Sequence, residues 1–130
     1  MGFFSKTPND SSNKDTNANA LGWNDLTNLK QLDEIASESA EIPVIIFKHS
    51  TRCGISRMAL KGFESEYNID PVKAKPYFLD LLNHRDISNG IAEKFGVHHE
   101  SPQLLLIKGG KAVYHESHGG ISASEVEGKL

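Results

Sequence analysis

Apolar and polar positions change rhythm several times along this chain. From Ser5 to Ala20 ("SKTPNDSSNKDTNANA") there is no rhythm at all, only small and polar residues. Such a stretch cannot bury enough apolar surface to offset the entropy of ordering it, so residues 1–20 are expected to form a disordered tail ahead of one domain over 21–130. A short edge strand is expected through Trp23 to Leu26. Thr27 is placed to cap a helix whose apolar stripe is Leu29, Leu32, Ile35 and Ala36. "PVIIFK" (Pro43–Lys48) is a continuous apolar run, the pattern of a strand buried on both faces. Helical spacing returns with Ile55, Ala59, Phe63 and Tyr67 on one stripe and Arg57, Lys61 and Glu64 on the other side.

The second half repeats the alternation. "YFLDLL" (Tyr77–Leu82) predicts a strand. Asp86 then caps a helix carrying Ile87, Ile91 and Phe95, with Gly96 suited to its C-terminal turn. "QLLLI" (Gln103–Ile107) and "AVYHE" (Ala112–Glu116) flank Gly109-Gly110 and predict a hairpin, while "SASE" (Ser122–Glu125) matches a capping box opening a last helix. Strands joined by helices run parallel and strands joined by a tight turn run antiparallel. The expectation is an α/β fold with a mixed central sheet and helices on both faces.

Composition narrows the function classes. At 130 residues and net charge −3, the chain gives no electrostatic case for nucleic acid or an anionic membrane surface. No apolar run has the length of a membrane span. The opening "MGFFSK" has neither a signal-peptide core nor, with Lys6, the acylation pattern. The single cysteine makes no internal disulfide. These features together lead us to expect a cytoplasmic protein.

That cysteine lies in "HSTRCGIS" (His49–Ser56), between a buried strand and a helix start. A helix N-terminus presents unpaired N–H groups and the positive end of the dipole, which stabilise a thiolate. Arg52 and His49 add positive potential, and Ser56, one turn on, can donate a hydroxyl to sulfur. The plain alternative is a small buried hydrophobe, the commonest fate of a lone cysteine. The neighbours Ser50, Thr51, Arg52, Gly54 and Ser56 are not core residues and point to a reactive thiol. Ser101-Pro102 before the strand "QLLLI" reads by default as a strand start.

Three segments, "FKHSTRCGIS" (Phe47–Ser56), "HESPQLLLI" (His99–Ile107) and "SHGGIS" (Ser117–Ser122), resemble the monothiol bacilliredoxin family of the bacillithiol system. The resemblance implies a thioredoxin-like fold, Cys53 as nucleophile and Ser101-Pro102 as a cis-proline loop beside it. It implies removal of bacillithiol, a low-molecular-weight thiol, from mixed disulfides of cytoplasmic proteins. That thiol acts as co-substrate, with no tightly bound cofactor. The catalytic group is then Cys53 with Ser56 and Arg52. Thr51, Gly54, Ser101, Pro102, Gly119 and Gly120 form the thiol-binding group. A monomer is expected. One departure stands out: the family's usual proline after the cysteine is Gly54 here. "CGIS" is thereby also similar to the motif of monothiol glutaredoxins, whose members carry iron–sulfur clusters with glutathione, so a cluster carrier is the alternative reading.

Other constellations carry less. His98-His99 and His115-x-x-His118 could meet Cys53 on zinc, but solvated histidines are the simpler reading and no metal site is expected. Gly109-Gly110 suits a turn better than a phosphate loop. Gly119-Gly120 precedes a helix, and its N–H groups could bind a carboxylate of the thiol. Lys48 and the other charged residues read as exposed solubility features.

Overall fold

The computed structural model describes residues 21–130; the expected tail lies outside the described residues. The elements are β1 (Asn24–Asp25), α1 (Lys30–Glu38), β2 (Val44–His49), α2 (Gly54–Glu66), β3 (Lys75–Asp80), α3 (Arg85–Phe95), β4 (Gln103–Lys108), β5 (Lys111–Ser117), a 3-10 turn (His118–Gly120) and α4 (Ala123–Glu127). Their order is the one the pattern predicts.

The sheet runs β1-β3-β2-β4-β5. β2 pairs in parallel with β3 and antiparallel with β4, so it lies at the centre with all six residues buried. That burial explains the unbroken apolar run. One face, with Val44, Ile46, Leu79, Leu105 and Ile107, packs against Leu32 and Ile35 of α1 and Ile87 and Ile91 of α3. The other, with Ile45, Phe47, Leu104 and Leu106, packs against Phe63 of α2 and Ala123 and Val126 of α4. Each such aliphatic side chain contributes about 1.5–3 kcal/mol on burial, so these two layers carry most of the stability.

Several local readings shift. Thr27 does not cap α1. Leu29 occupies the N-cap without a side-chain bond, and Asn28 Oδ1 accepts from Lys30 N at 2.8 Å, while Gln31 Oε1 reaches back to the N–H groups of Thr27 and Asn28. Asp86 is not the cap of α3 either: His84 is, and Asp86 sits in the first turn, where its charge still suits the dipole. β3 begins at Lys75, two residues before the expected start, and takes Pro76 into the strand. The hairpin turn is as expected, with Gly109 and Gly110 at φ 60 and 78 degrees, both in the left-handed region. Gly96 ends α3 at φ 66 degrees. Ser122 Oγ accepts from Glu125 N at 3.4 Å and caps α4.

Lys48 is the largest correction. It is completely buried, because β2 stays central through its last turn of pleat. Its Nζ donates to His99 Nδ1 at 3.0 Å.

Candidate functional site

The site forms where chain crossings leave the sheet on one edge. β2 ends at His49 and β4 begins at Gln103, and antiparallel pairing sets Lys48 opposite Gln103. The loop Ser50–Cys53 and the loop His99–Pro102 therefore share one end of the sheet. The Ser101-Pro102 bond is cis, as the resemblance implies.

Cys53 is the N-cap of α2, in extended conformation at φ −106 and ψ 121 degrees, and is partly exposed. Its own N–H is held by Ser50 O at 3.1 Å, and its carbonyl accepts from Arg57 N at 3.1 Å. The preceding strand fixes where the chain enters this turn, and the free N–H groups of the first turn lie next to the sulfur position. A partly exposed thiol at that place can act as a nucleophile on a disulfide.

Ser56 behaves differently from the expectation. It is fully buried, and its Oγ accepts from Ser50 N at 3.0 Å and lies 2.8 Å from His49 Nδ1. These two bonds engage the hydroxyl that was expected to serve Cys53. Ser56 is a clasp: it ties the loop start to the first turn of α2. His49, itself buried, resists protonation chiefly because of its burial, with nearby Asp80 pulling the other way and Arg57 adding to the effect. In its neutral form, with Nδ1 unprotonated, it accepts a hydrogen bond from the Ser56 hydroxyl.

Two depressions are lined in part by residues that precede and follow Cys53 in sequence, while Cys53 itself lines neither. Thr51, Arg52, Leu82, Asn83 and Arg85 line a hollow of about 360 Å³. Ile55, Met58, His118, Gly119 and Ile121 line a groove of about 320 Å³. Ile55 was expected on the buried stripe of α2 but is 58% exposed, and Met58 is 76% exposed. The first turns of α2 reach past the sheet edge, so an apolar residue there has no core to meet.

Around the His118 turn the charges are acidic. Glu116 occupies the space a side chain at Gly120 would need, its carboxylate oxygen 2.8 Å from that position. Glu100 bonds Ser117 Oγ, and that bond, with His118, His98 and His115 nearby, keeps its carboxyl ionised below the usual range. Downstream, Ala123 N already donates to Glu66 Oε1 at 3.2 Å. The carboxylate role considered for Gly119 and Gly120 thus meets anionic company on this side. Among the described residues, no three His, Cys, Asp or Glu side chains gather in a way that could hold a metal ion.

The sequence reading missed Lys48, His49 as the partner of Ser56, and Asn83 with Arg85 in the hollow. A polar pair closing an apolar strand, "KH" after "VIIF", was the available sign for the first two. Nothing local marked the third, which depends on β3 and α3 returning beside the cysteine loop.

Comparison with known proteins bears on this geometry. The family model described as monothiol bacilliredoxin BrxC matches residues 24–126. A solved structure described as a candidate oxidoreductase with a thioredoxin fold is 30% identical, with TM-score 0.67, and the match covers 80% of this chain and 89% of that one. Thioredoxin from Trypanosoma brucei brucei is 19% identical with TM-score 0.63, covering 87% and 91% of the two chains. Thioredoxin from Malassezia sympodialis is 18% identical with TM-score 0.62, covering 83% and 87%. The last two show likeness of fold alone.

Proposed function

Because the chain belongs to the monothiol bacilliredoxin family and has a thioredoxin fold, we propose that it removes a low-molecular-weight thiol, bacillithiol in the family's chemistry, from mixed disulfides of cytoplasmic proteins. One observation carries the reading: the only cysteine of the chain is partly exposed at the N-cap of α2. The Cys53 thiolate attacks the sulfur of the small thiol. The disulfide to the protein breaks, and the protein thiolate leaves with the electron pair and takes a proton from water. Cys53 is left in disulfide linkage with the small thiol, and a second small thiol attacks that bond and restores Cys53. Because the resolving sulfur arrives from solution, a serine at position 56 suffices.

Arg52 and the free N–H groups of the α2 terminus put positive potential at this end of the helix. On this reading Thr51, Ser101 and Pro102, from the two loops that share this end of the sheet, receive the bound thiol. The test is intact-mass analysis of the protein isolated from its host under mild oxidation. A single adduct of a small thiol, absent in Cys53→Ser, is the expected result. Turnover retained by Cys53→Ser would overturn the assignment, since the other sulfurs belong to the two methionines. Stoichiometric iron with visible absorbance after anaerobic purification would point to a cluster carrier instead.

A further inference from the structure

His49 and Ser56 are bonded to each other beneath the turn that carries Cys53, and the exchange described above gives His49 no part. We propose that His49 is a positioning residue for that exchange: its protonation reverses its bond with Ser56 and turns the Ser56 hydroxyl toward the helix end where Cys53 sits. This rests on the reading of Cys53 as the attacking sulfur and adds a control to it.

The first argument is continuity. Cys53 N donates to Ser50 O at 3.1 Å, and Ser50 N donates to Ser56 Oγ at 3.0 Å. Ser56 Oγ in turn lies 2.8 Å from His49 Nδ1. Hydrogen bonds through these four residues lead from the imidazole to the backbone of the nucleophile, across the turn from β2 to α2.

The second argument is the inventory of one hydroxyl. A serine has one proton to give and two lone pairs to fill. With neutral His49 as acceptor, the proton goes to Nδ1 and the Ser50 N–H takes one lone pair. A protonated imidazole donates at both nitrogens. Its Nδ1–H then takes the second lone pair, and the Ser56 proton has to leave that bond. Ser56 is fully buried, so water does not receive it. Cys53 is the N-cap of α2 and Ser56 its third residue, two positions whose side chains meet across a first helical turn. The released O–H therefore turns to the Cys53 end, where an anionic sulfur accepts more strongly than a neutral group.

The third argument is the surroundings of the ring. Asp80 of β3 is the register partner of His49, and its Oδ1 is buried without a hydrogen bond, while Oδ2 accepts from Asn83 Nδ2 at 2.8 Å. Arg57 is the charged group from α2, and its guanidinium donates to Thr51 O at 3.3 Å. Phe78 packs on the ring, with centroids 5.6 Å apart. Lys48 precedes His49 on β2 but reaches His99 from the other face of the sheet. Burial opposes the imidazolium, Asp80 favours it and Arg57 opposes it, so the reversal falls on the acid side of the usual histidine range. Above it, the proton belongs on Nε2. The other neutral tautomer would put two donors on Ser56 Oγ and strand the serine proton in buried surroundings.

The test uses the full chain and two readouts. Long-range proton–nitrogen NMR of the imidazoles, with His49 identified by its loss in His49→Asn, should show Nε2–H at neutral pH. The second readout is the rate of Cys53 with the 2-pyridyl disulfide of 2-mercaptoethanol, an uncharged probe, from about pH 4.5 to 8. The acid limb of the wild type should rise about threefold above a single-ionisation curve. A hydrogen bond to an ionised group is worth about tenfold at its lower end, and roughly half of that, on a logarithmic scale, is lost to weaker nucleophilicity. His49→Asn offers an amide oxygen to Ser56 but does not titrate, and Ser56→Ala keeps the imidazole without the hydroxyl. Each should lack the excess when scaled to its own rate at neutral pH. Asp80 and Arg57 remain in both variants, so the difference belongs to the His49–Ser56 bond. An Nδ1–H tautomer at neutral pH, no excess in the wild type, or an excess that persists in either variant would overturn the proposal. Reaction persisting in Cys53→Ser would instead unseat the nucleophile, and the tautomer is read without reference to it.

Discussion

Lys48 shows how one residue can oppose the fold that contains it. Burial holds its ammonium pKa down to about 8 from 10.5, and its near partner is a histidine rather than a carboxylate. Between those two values the unfolded chain binds more protons than the folded one, so stability rises with pH across that window and the penalty is fully present below it. Lys48→Met, similar in length and without charge, is expected to raise the thermal midpoint at pH 7 by several degrees, the scale of roughly 1 kcal/mol in a domain of this size. The gain should shrink as pH climbs from about 8 toward 10.5. A midpoint gain independent of pH, measured by calorimetry, would show that the charge is not the cost. His99 would keep Ser88 Oγ at 3.2 Å as a partner in that variant. The "KH" that closes "VIIF" marked Lys48 and His49 as unusual, but neither the depth of Lys48 nor the Ser56–His49 bond followed from local sequence alone. The run "PVIIFK" located the strand, but whether its last residues stay buried depends on β4 and α3 covering them.

At the scale of an element, α2 is the most informative. Its start at Gly54 was legible from the change of spacing after Cys53, and the deep part of its stripe, Phe63, is buried as expected. Its first turn was not legible, since periodicity says which residues share a side but not where the sheet ends beneath them, and Ile55 fell outside. Gly54 is not required by space or backbone: a side chain there would meet only Arg57 Nη2, at 3.9 Å. Cys53 already has the extended conformation that a following proline demands. Gly54→Pro should therefore fold with equal stability, or with a gain of about 0.4–1 kcal/mol from restricting the unfolded chain. It also deletes one of the donors beside the sulfur. Iodoacetamide alkylation of Cys53 near neutral pH should slow severalfold, and an unchanged rate would mean that this N–H contributes little to activation.

Across the whole molecule, the order of elements and both helical layers followed from the pattern, because each strand had a distinct apolar run and each connection a length that fixed its direction. One edge of the sheet was expected, as the short strand through Trp23 to Leu26, and the other was not assigned from the pattern. β1 is only two residues long, and β5 carries an irregularity opposite Leu106 and Ile107 with Lys108 and Lys111 at its turn. Short, bulged and charged edges resist pairing with another chain. Light scattering behind a sizing column should give the mass of one chain over a wide concentration range, and a dimer growing with concentration would contradict this. Beside the short edge, the sole tryptophan leans on three rings, with centroids 6.1 Å from Phe47, 6.0 Å from Phe63 and 5.6 Å from Phe78, and its indole N–H donates to Glu64 of α2 at 2.8 Å. Trp23 thus bridges the N-terminal strand to the helix that carries Cys53. Its emission is a built-in optical gauge: a red shift reports that this seam has opened and admitted water, with no dye attached and no second tryptophan to blur the signal.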